Sequence, residues 1–117
     1  MKEYKFFEQD WKLFKSKIAI WQENYIDKLN KEYIELLSEN TNPSDKFWNL
    51  DKRIKTDRNK VGVEIEMRRS ILIYNITSLI NEGVISLEEL EEFSDELNKR
   101  VKNLLSRCEN DENISNW

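Results

Sequence analysis

A row of large apolar residues at alternating steps of three and four runs through the first part of this 117-residue chain. Its members are Tyr4, Phe7, Trp11, Phe14, Ile18, Trp21 and Tyr25, and all but Ile18 are aromatic. This spacing is that of one face of an α-helix. Because a buried aromatic side chain covers about 150–250 Å², such a row must lie under the rest of the chain or under another molecule.

Residues that break helices are scarce, since the chain has two Gly and one Pro. Tight turns between many strands are therefore hard to form, and 36% charged residues suit helices with solvated faces. The composition predicts an all-α fold. At this length we expect one domain over residues 1–117, with residues 108–117 as a flexible tail.

Four helical segments are predicted from the apolar spacing and from the residues at their ends. They cover residues 3–39, 43–58, 63–82 and 86–107. Asn42 precedes Pro43 as a helix N-cap, and Gly83 is a left-handed C-cap. Ser86 and Glu89 have the spacing of a capping box. We therefore expect a bundle of about four helices, with a long N-terminal helix and a C-terminal helical hairpin.

The expected core follows the apolar stripes of the third and fourth segments. It consists of Ile65, Leu72, Ile76, Leu79, Leu90, Phe93, Leu97, Val101 and Leu104. In the second segment Phe47 shares a face with Leu50 and Ile54, so we expect Phe47 to point inward.

Basic residues concentrate between residues 44 and 69, a segment that contains eight basic and five acidic residues. If Phe47 points inward, Trp48 lies on the flank of its helix with Lys52 and Lys55. Trp48, Lys52 and Lys55 are therefore the predicted partner surface, able to contact phosphates or a protein groove. A solvated amphipathic helix explains the same pattern.

Acidic residues concentrate between residues 82 and 112, ten against four basic ones. Glu88, Glu91, Glu92 and Asp95 could imitate a row of phosphates and occupy the basic cleft of a protein that handles nucleic acid. Alternatively, these carboxylates favour the first turns of a helix and maintain solubility.

Several kinds of chemistry lack the residues that they need. The chain has no His, its single Cys108 has no partner base, and two glycines cannot form a phosphate-binding loop. Residues 82–93 resemble half of a calcium loop, but Ile80 stands where a ligand is required. We expect neither enzymatic activity nor any metal or cofactor. Without a membrane-spanning or signal segment, the expected location is the cytoplasm.

The run Asn42–Trp48, the triplet Arg68-Arg69-Ser70 and residues 82–93 resemble small uncharacterised helical proteins. Phages, plasmids and other mobile elements of low-GC Gram-positive bacteria encode such proteins. The resemblance covers about residues 11–105 and assigns no active residues. It implies a protein-binding factor that inhibits or redirects a host defence protein such as a CRISPR effector.

A DNA-binding transcriptional regulator that uses the second helix is the alternative, although a pI near 5.0 disfavours nucleic acid. A structural homo-oligomer is a third class.

The length of the first helix raises the question of what covers its aromatic row. An unbroken helix of residues 3–39 would be about 55 Å long, whereas the third and fourth helices, of about 20 residues each, reach only about 30 Å. They can therefore cover the part from about Trp21 to Leu37 but not the remaining turns. Left uncovered, Tyr4, Phe7, Trp11 and Phe14 would project as an apolar ridge. We therefore expect a symmetric homodimer built on the first helix. The alternatives are a foreign partner on the ridge, or a helix that breaks near residues 22–24.

Overall fold

The computed structural model describes the backbone of residues 2–115 and the side chains of residues 7–107. Its helices are α1 (Lys2–Ser38), α2 (Pro43–Asp57), α3 (Leu72–Asn81) and α4 (Asp95–Ser115). Two short 3₁₀ helices, Arg69–Ile71 and Leu87–Leu90, precede α3 and α4. No strand occurs between residues 2 and 115. The predicted all-α class, the long N-terminal helix and the C-terminal hairpin of α3 and α4 are confirmed, and the first helix has no break near residues 22–24.

Helix α1 carries two separate packing units along its length. Its N-terminal part joins α3 and α4 in the hydrophobic core, whereas its C-terminal part packs against α2, which returns after a four-residue connection. The buried α1 residues of the core are Trp11, Phe14, Ile18 and Trp21, and ring contacts of 6.1–6.4 Å join Trp11 to Phe14, Phe14 to Trp21, and Trp21 to Phe93.

The predicted uncovered ridge is wrong for its described members. Phe14 is fully buried, Trp11 is 7% exposed, and Phe7 is half-buried against the core. The side chain of Tyr4 lies outside the described residues. Contrary to what the lengths of the helices suggested, the third and fourth helices do not cover the C-terminal part of α1. In the structure α2 covers that part, so α3 and α4 cover the N-terminal part instead.

The third helix is shorter than predicted, because residues 63–68 are not helical. Arg68 has an extended backbone, with φ −135°. The buried side chain of Asn75 donates a hydrogen bond of 2.8 Å to the Glu66 carbonyl, which fixes this extended segment against α3. Ile65 consequently packs against the core as a half-buried loop residue.

The fourth helix begins at Asp95, not at Ser86. Ser86 makes no side-chain cap hydrogen bond, so the predicted capping box does not form. Ser94 takes this role, because its hydroxyl accepts a hydrogen bond of 3.1 Å from the Leu97 amide. The helix continues to Ser115, which includes most of the backbone predicted as a flexible tail. The side chains of residues 108–117 lie outside the described part.

Most of the predicted core residues are buried. Leu72, Ile76, Leu79, Leu90, Phe93, Leu97 and Val101 are buried, whereas Ile65 and Leu104 are half-buried. Gly83 adopts the predicted left-handed conformation, with φ 76°. Asn42 occupies the predicted N-cap position of α2, but its side chain contacts Asp45 and not the helix backbone.

Candidate protein-binding surface

The outer edge of α2 carries the three residues of the predicted partner surface. Trp48, Lys52 and Lys55 follow one another at steps of four and three, so they lie on one side of the helix. Trp48 is 64% exposed, and both lysines are exposed. The Lys55 ammonium pairs with Asp51 at 2.9 Å, one turn earlier. The result is an exposed indole beside two cations.

Phe47 does not point inward as predicted, because its side chain is 62% exposed. Its ring lies 5.0 Å from that of Trp48 in an edge-to-face arrangement. The physical reason is that other residues of α2 face α1. Arg53 and Asp57 contact Glu32 and Tyr33 of α1, and this polar contact rotates Phe47 out of the interface.

A network around the buried carboxylate of Asp57 holds α2 against α1. The Tyr33 hydroxyl donates a hydrogen bond of 2.5 Å to Asp57. The ammonium of Lys60 lies 3.4 Å, and the guanidinium of Arg53 3.6 Å, from its oxygens. Arg53 also reaches Glu32 and lies over the Tyr33 ring. The pairing compensates the desolvation of a carboxylate that is only 2% exposed.

This network shifts the pKa values of Asp57 and Tyr33. Burial by itself would raise the pKa of Asp57, but hydrogen bonds from Tyr33 and Lys60 and the nearby cations lower it below 3.8. Burial and the hydrogen bond to Asp57 raise the pKa of Tyr33 to about 12. Asp57 is therefore ionised and Tyr33 neutral near pH 7, which suits a structural hydrogen bond.

The four residues of the predicted phosphate-like row do not share a helix face. Glu88 lies in the second 3₁₀ helix, Glu91 and Glu92 follow it, and Asp95 begins α4. All four are exposed, and Glu92 pairs with Lys17 of α1 at 3.4 Å. Because α4 begins only at Asp95, it includes one of the four residues and cannot place them on one helix face. Their predicted role as a nucleic-acid mimic stays a prediction.

A cavity of about 360 Å³ lies between the start of α1, the first 3₁₀ helix and α4. Both of its arginines are paired with carboxylates. Arg69 contacts Glu8 at 2.8 Å, and Arg100 contacts Glu96 at 3.1 Å while its guanidinium lies 5.0 Å from the Phe7 ring. An anion would have to displace Glu8 from Arg69, so the cavity has no preformed anion site.

Among residues 7–107, no three Cys, Asp or Glu side chains converge in a way that could hold a metal ion. No helix in the described part of the chain is both long enough and apolar enough to cross a bilayer.

No pattern in the sequence predicted the network of Asp57 or the contact of Asp10 with Ser94. Both aspartates are buried, at 2% and 3% exposure. Ser94 did carry a local signal, because Asp95 and Glu96 follow it as acidic residues of a first helical turn. No local pattern marks Asp10 or Asp57 as buried.

Comparison with models of protein families, with curated proteins and with solved structures gives no match.

Proposed function

We propose that this chain is a non-enzymatic protein-binding module that contacts its partner through Trp48, Lys52 and Lys55. The observation that carries the proposal is the 64% exposure of Trp48 on a helix that is held in place by other residues. Tryptophan is strongly enriched among the residues that dominate binding energy. The flanking lysines favour a partner surface that carries carboxylates.

The resemblance to proteins of mobile elements supports a host protein as the partner. A chain of this kind would inhibit or redirect a host defence protein, such as a CRISPR effector, in the cytoplasm. It would act by occupying a surface, which requires no catalytic group.

The alternative is a DNA-binding regulator that uses α2. Its basic residues favour contact with phosphates, but carboxylates already neutralise part of that charge. Arg53 lies beside Glu32 and Asp57, and Lys55 lies beside Asp51. A protein partner therefore explains the exposed indole better than a phosphate backbone does.

The test is a quantitative affinity capture from the lysate of a low-GC Gram-positive bacterium, followed by mass spectrometry. Three baits are compared: the wild type, the double variant Trp48→Ala with Lys52→Glu, and the control Tyr74→Ala. Tyr74 is a matched control because it is 65% exposed and belongs to α3. We expect the wild type and the control to retain the same protein and the double variant to lose it.

The double variant should keep the melting temperature of the wild type, because neither substituted side chain is buried. Equal capture by all three baits, or unfolding of the double variant, would contradict the proposal. Binding to arbitrary duplex DNA that weakens steeply with salt would favour the regulator instead.

A further inference from the structure

Helix α2 buries less apolar surface than the other helices of the chain. None of its residues belongs to the hydrophobic core of α1, α3 and α4 or packs against that core. Phe47, Trp48 and Ile54 are exposed, and Leu50 is half-buried. Helices α3 and α4, in contrast, each contain fully buried apolar side chains. Apolar burial, which stabilises most helices in proteins, therefore contributes less to the position of α2 than to that of α3 or α4.

Polar contacts at the C-terminal end of α2 join it to α1. The only buried residue of α2 is Asp57, whose carboxylate accepts the hydrogen bond from the Tyr33 hydroxyl of α1. Arg53 of α2 lies between this carboxylate and Glu32 of α1. Removing one partner of a buried charge is costly, because the other charge is left without compensation. The docked position of α2 therefore depends strongly on the contacts of Asp57.

Exposed connections flank α2 at both ends. Residues 39–42 precede it and residues 58–59 follow it, and all of them are exposed. The chain is fixed again at Val61, which packs against the core. Its carbonyl accepts a hydrogen bond of 3.2 Å from the Gln22 side chain of α1, and its amide donates one of 2.9 Å to Glu82. Release of α2 thus requires no movement of the core or of Val61.

We propose that α2 detaches from α1 as one unit while the core of α1, α3 and α4 stays folded, and that the contacts of Asp57 control how often it detaches. Segments with few buried apolar contacts open at the lowest free energies within a fold. Helix α2 has 15 residues, and an isolated helix of this length is only marginally stable in water. Residues 43–57 therefore lose their helical hydrogen bonds when they detach.

This opening regulates the partner surface. Trp48, Lys52 and Lys55 share one side only while α2 is helical. The apparent affinity for a partner falls with the fraction of chains in which the binding conformation is formed. The contacts of Asp57 thus set how much of the protein is able to bind. This consequence rests on the proposed function, whereas the opening itself is a property of the free chain and is tested without a partner.

The experiment is native-state hydrogen exchange of the free full chain at neutral pH, followed by mass spectrometry of peptides from α2, α3 and α4. Amides of α2 should exchange more than about tenfold faster than the slowest amides of α3. Low concentrations of urea should speed the exchange of α2 only slightly, because its release exposes little surface, and that of α3 much more. Equal rates and equal urea dependence in α2 and α3 would overturn the proposal.

A mild core variant separates the opening of α2 from unfolding of the whole chain. Ile76→Val removes one methyl group from a fully buried side chain of α3. It should speed the exchange of α3 and α4 by about twofold to tenfold. Exchange of α2 should not change, because the core is perturbed equally whether α2 is docked or released. Acceleration of α2 by the same factor as α3 would show that the two unfold together, and would overturn the proposal.

A second pair of variants tests the role of Asp57. Asp57→Asn should speed the exchange of α2 by about tenfold or more, because its partners lose a charged acceptor. Asp51→Asn is the matched control in the same helix, since its pair with Lys55 is exposed and its effect should be less than about threefold. Tyr33→Phe removes one donor to Asp57 and should have an effect between these two.

The pattern of protection in Asp57→Asn decides the outcome. Protection that is lost in α2 but kept in α3 and α4 would support the proposal in its strongest form. Wild-type rates in α2, or loss of protection in all three helices, would overturn it.

Discussion

The carboxylate of Asp10 accepts two hydrogen bonds from Ser94, 84 residues further along the chain. The Ser94 amide donates to it at 2.9 Å and the hydroxyl at 2.6 Å. The same hydroxyl accepts a hydrogen bond from the Leu97 amide at the start of α4. Asp10 therefore fixes the N-terminus of α4 against α1, and its negative charge lies where the helix dipole favours it.

Asp10→Ala should lower the free energy of unfolding by roughly 2–4 kcal/mol, because a buried amide and hydroxyl lose a charged acceptor. Urea denaturation at neutral pH measures the change. Asp27→Ala is the control on the same helix, since its pair with Lys31 is exposed and should contribute less than about 1 kcal/mol. Similar losses for the two variants would show that the Asp10 contact is of little importance.

Ile76→Ala should cost roughly 2–5 kcal/mol, because Ile76 is fully buried in the core and the substitution leaves a cavity. Thermal or urea unfolding gives the value, with exposed Ile20→Ala as the control and an expected change within about 0.5 kcal/mol. A decrease of less than about half a kcal/mol in the unfolding free energy of Ile76→Ala would contradict the assignment of Ile76 to the core.

Gly62 is expected to tolerate no side chain. A Cβ at this position would overlap the ring of Tyr25 and lie 2.7 Å from a methyl group of Val84. Gly62→Ala should therefore destabilise the fold by roughly 1–3 kcal/mol through overpacking. Adding Val84→Ala should recover part of this loss by removing one of the two clashes. An equal urea midpoint for Gly62→Ala and the wild type would contradict this prediction. It would show that Tyr25 and Val84 move to accept the added methyl group.

The stability conferred by Asp57 should depend on pH in the acid range. Its pKa in the folded state is below 3.8, so the folded state binds the proton less readily than the unfolded state does. The contribution of Asp57 is therefore complete above about pH 4 and is lost as the pH falls through the folded-state pKa. The difference in unfolding free energy between the wild type and Asp57→Asn should be largest near pH 6.

Urea denaturation from about pH 6 to about pH 2.5 follows this difference, which should shrink as Asp57 becomes protonated. Tyr33→Phe removes one donor to Asp57 and should show a smaller effect of the same sign. A difference that stays constant over the whole range would contradict the lowered pKa.

Local patterns in the sequence predicted the helices of this protein well wherever both ends carried a signal. The span of α2 agrees with the prediction within one residue, because Asn42-Pro43 marks its start. The third helix was predicted to begin too early because Ile65 lies seven residues before Leu72 and fits the helical stripe, although Val63, Ile65 and Met67 alternate with the period of two that is typical of an extended chain. Their backbone is instead held in an extended conformation against α3 by the hydrogen bond from Asn75 to Glu66. For the candidate surface, the exposure of Trp48 agreed with expectation and that of Phe47 did not.

The sequence by itself determined the all-α class and most of the core, because apolar residues with helical spacing must be buried somewhere. Only the tertiary structure decided what buries them. The aromatic row of α1 required a cover, but its spacing is equally compatible with α2, with α3 and α4, or with a second chain. Because α2 packs along the C-terminal part of α1, α3 and α4 cover the N-terminal part, which contains Trp11 and Phe14. Polar contacts such as those of Asp10 with Ser94 and of Tyr33 with Asp57 join residues far apart in the chain, so no local pattern could specify them.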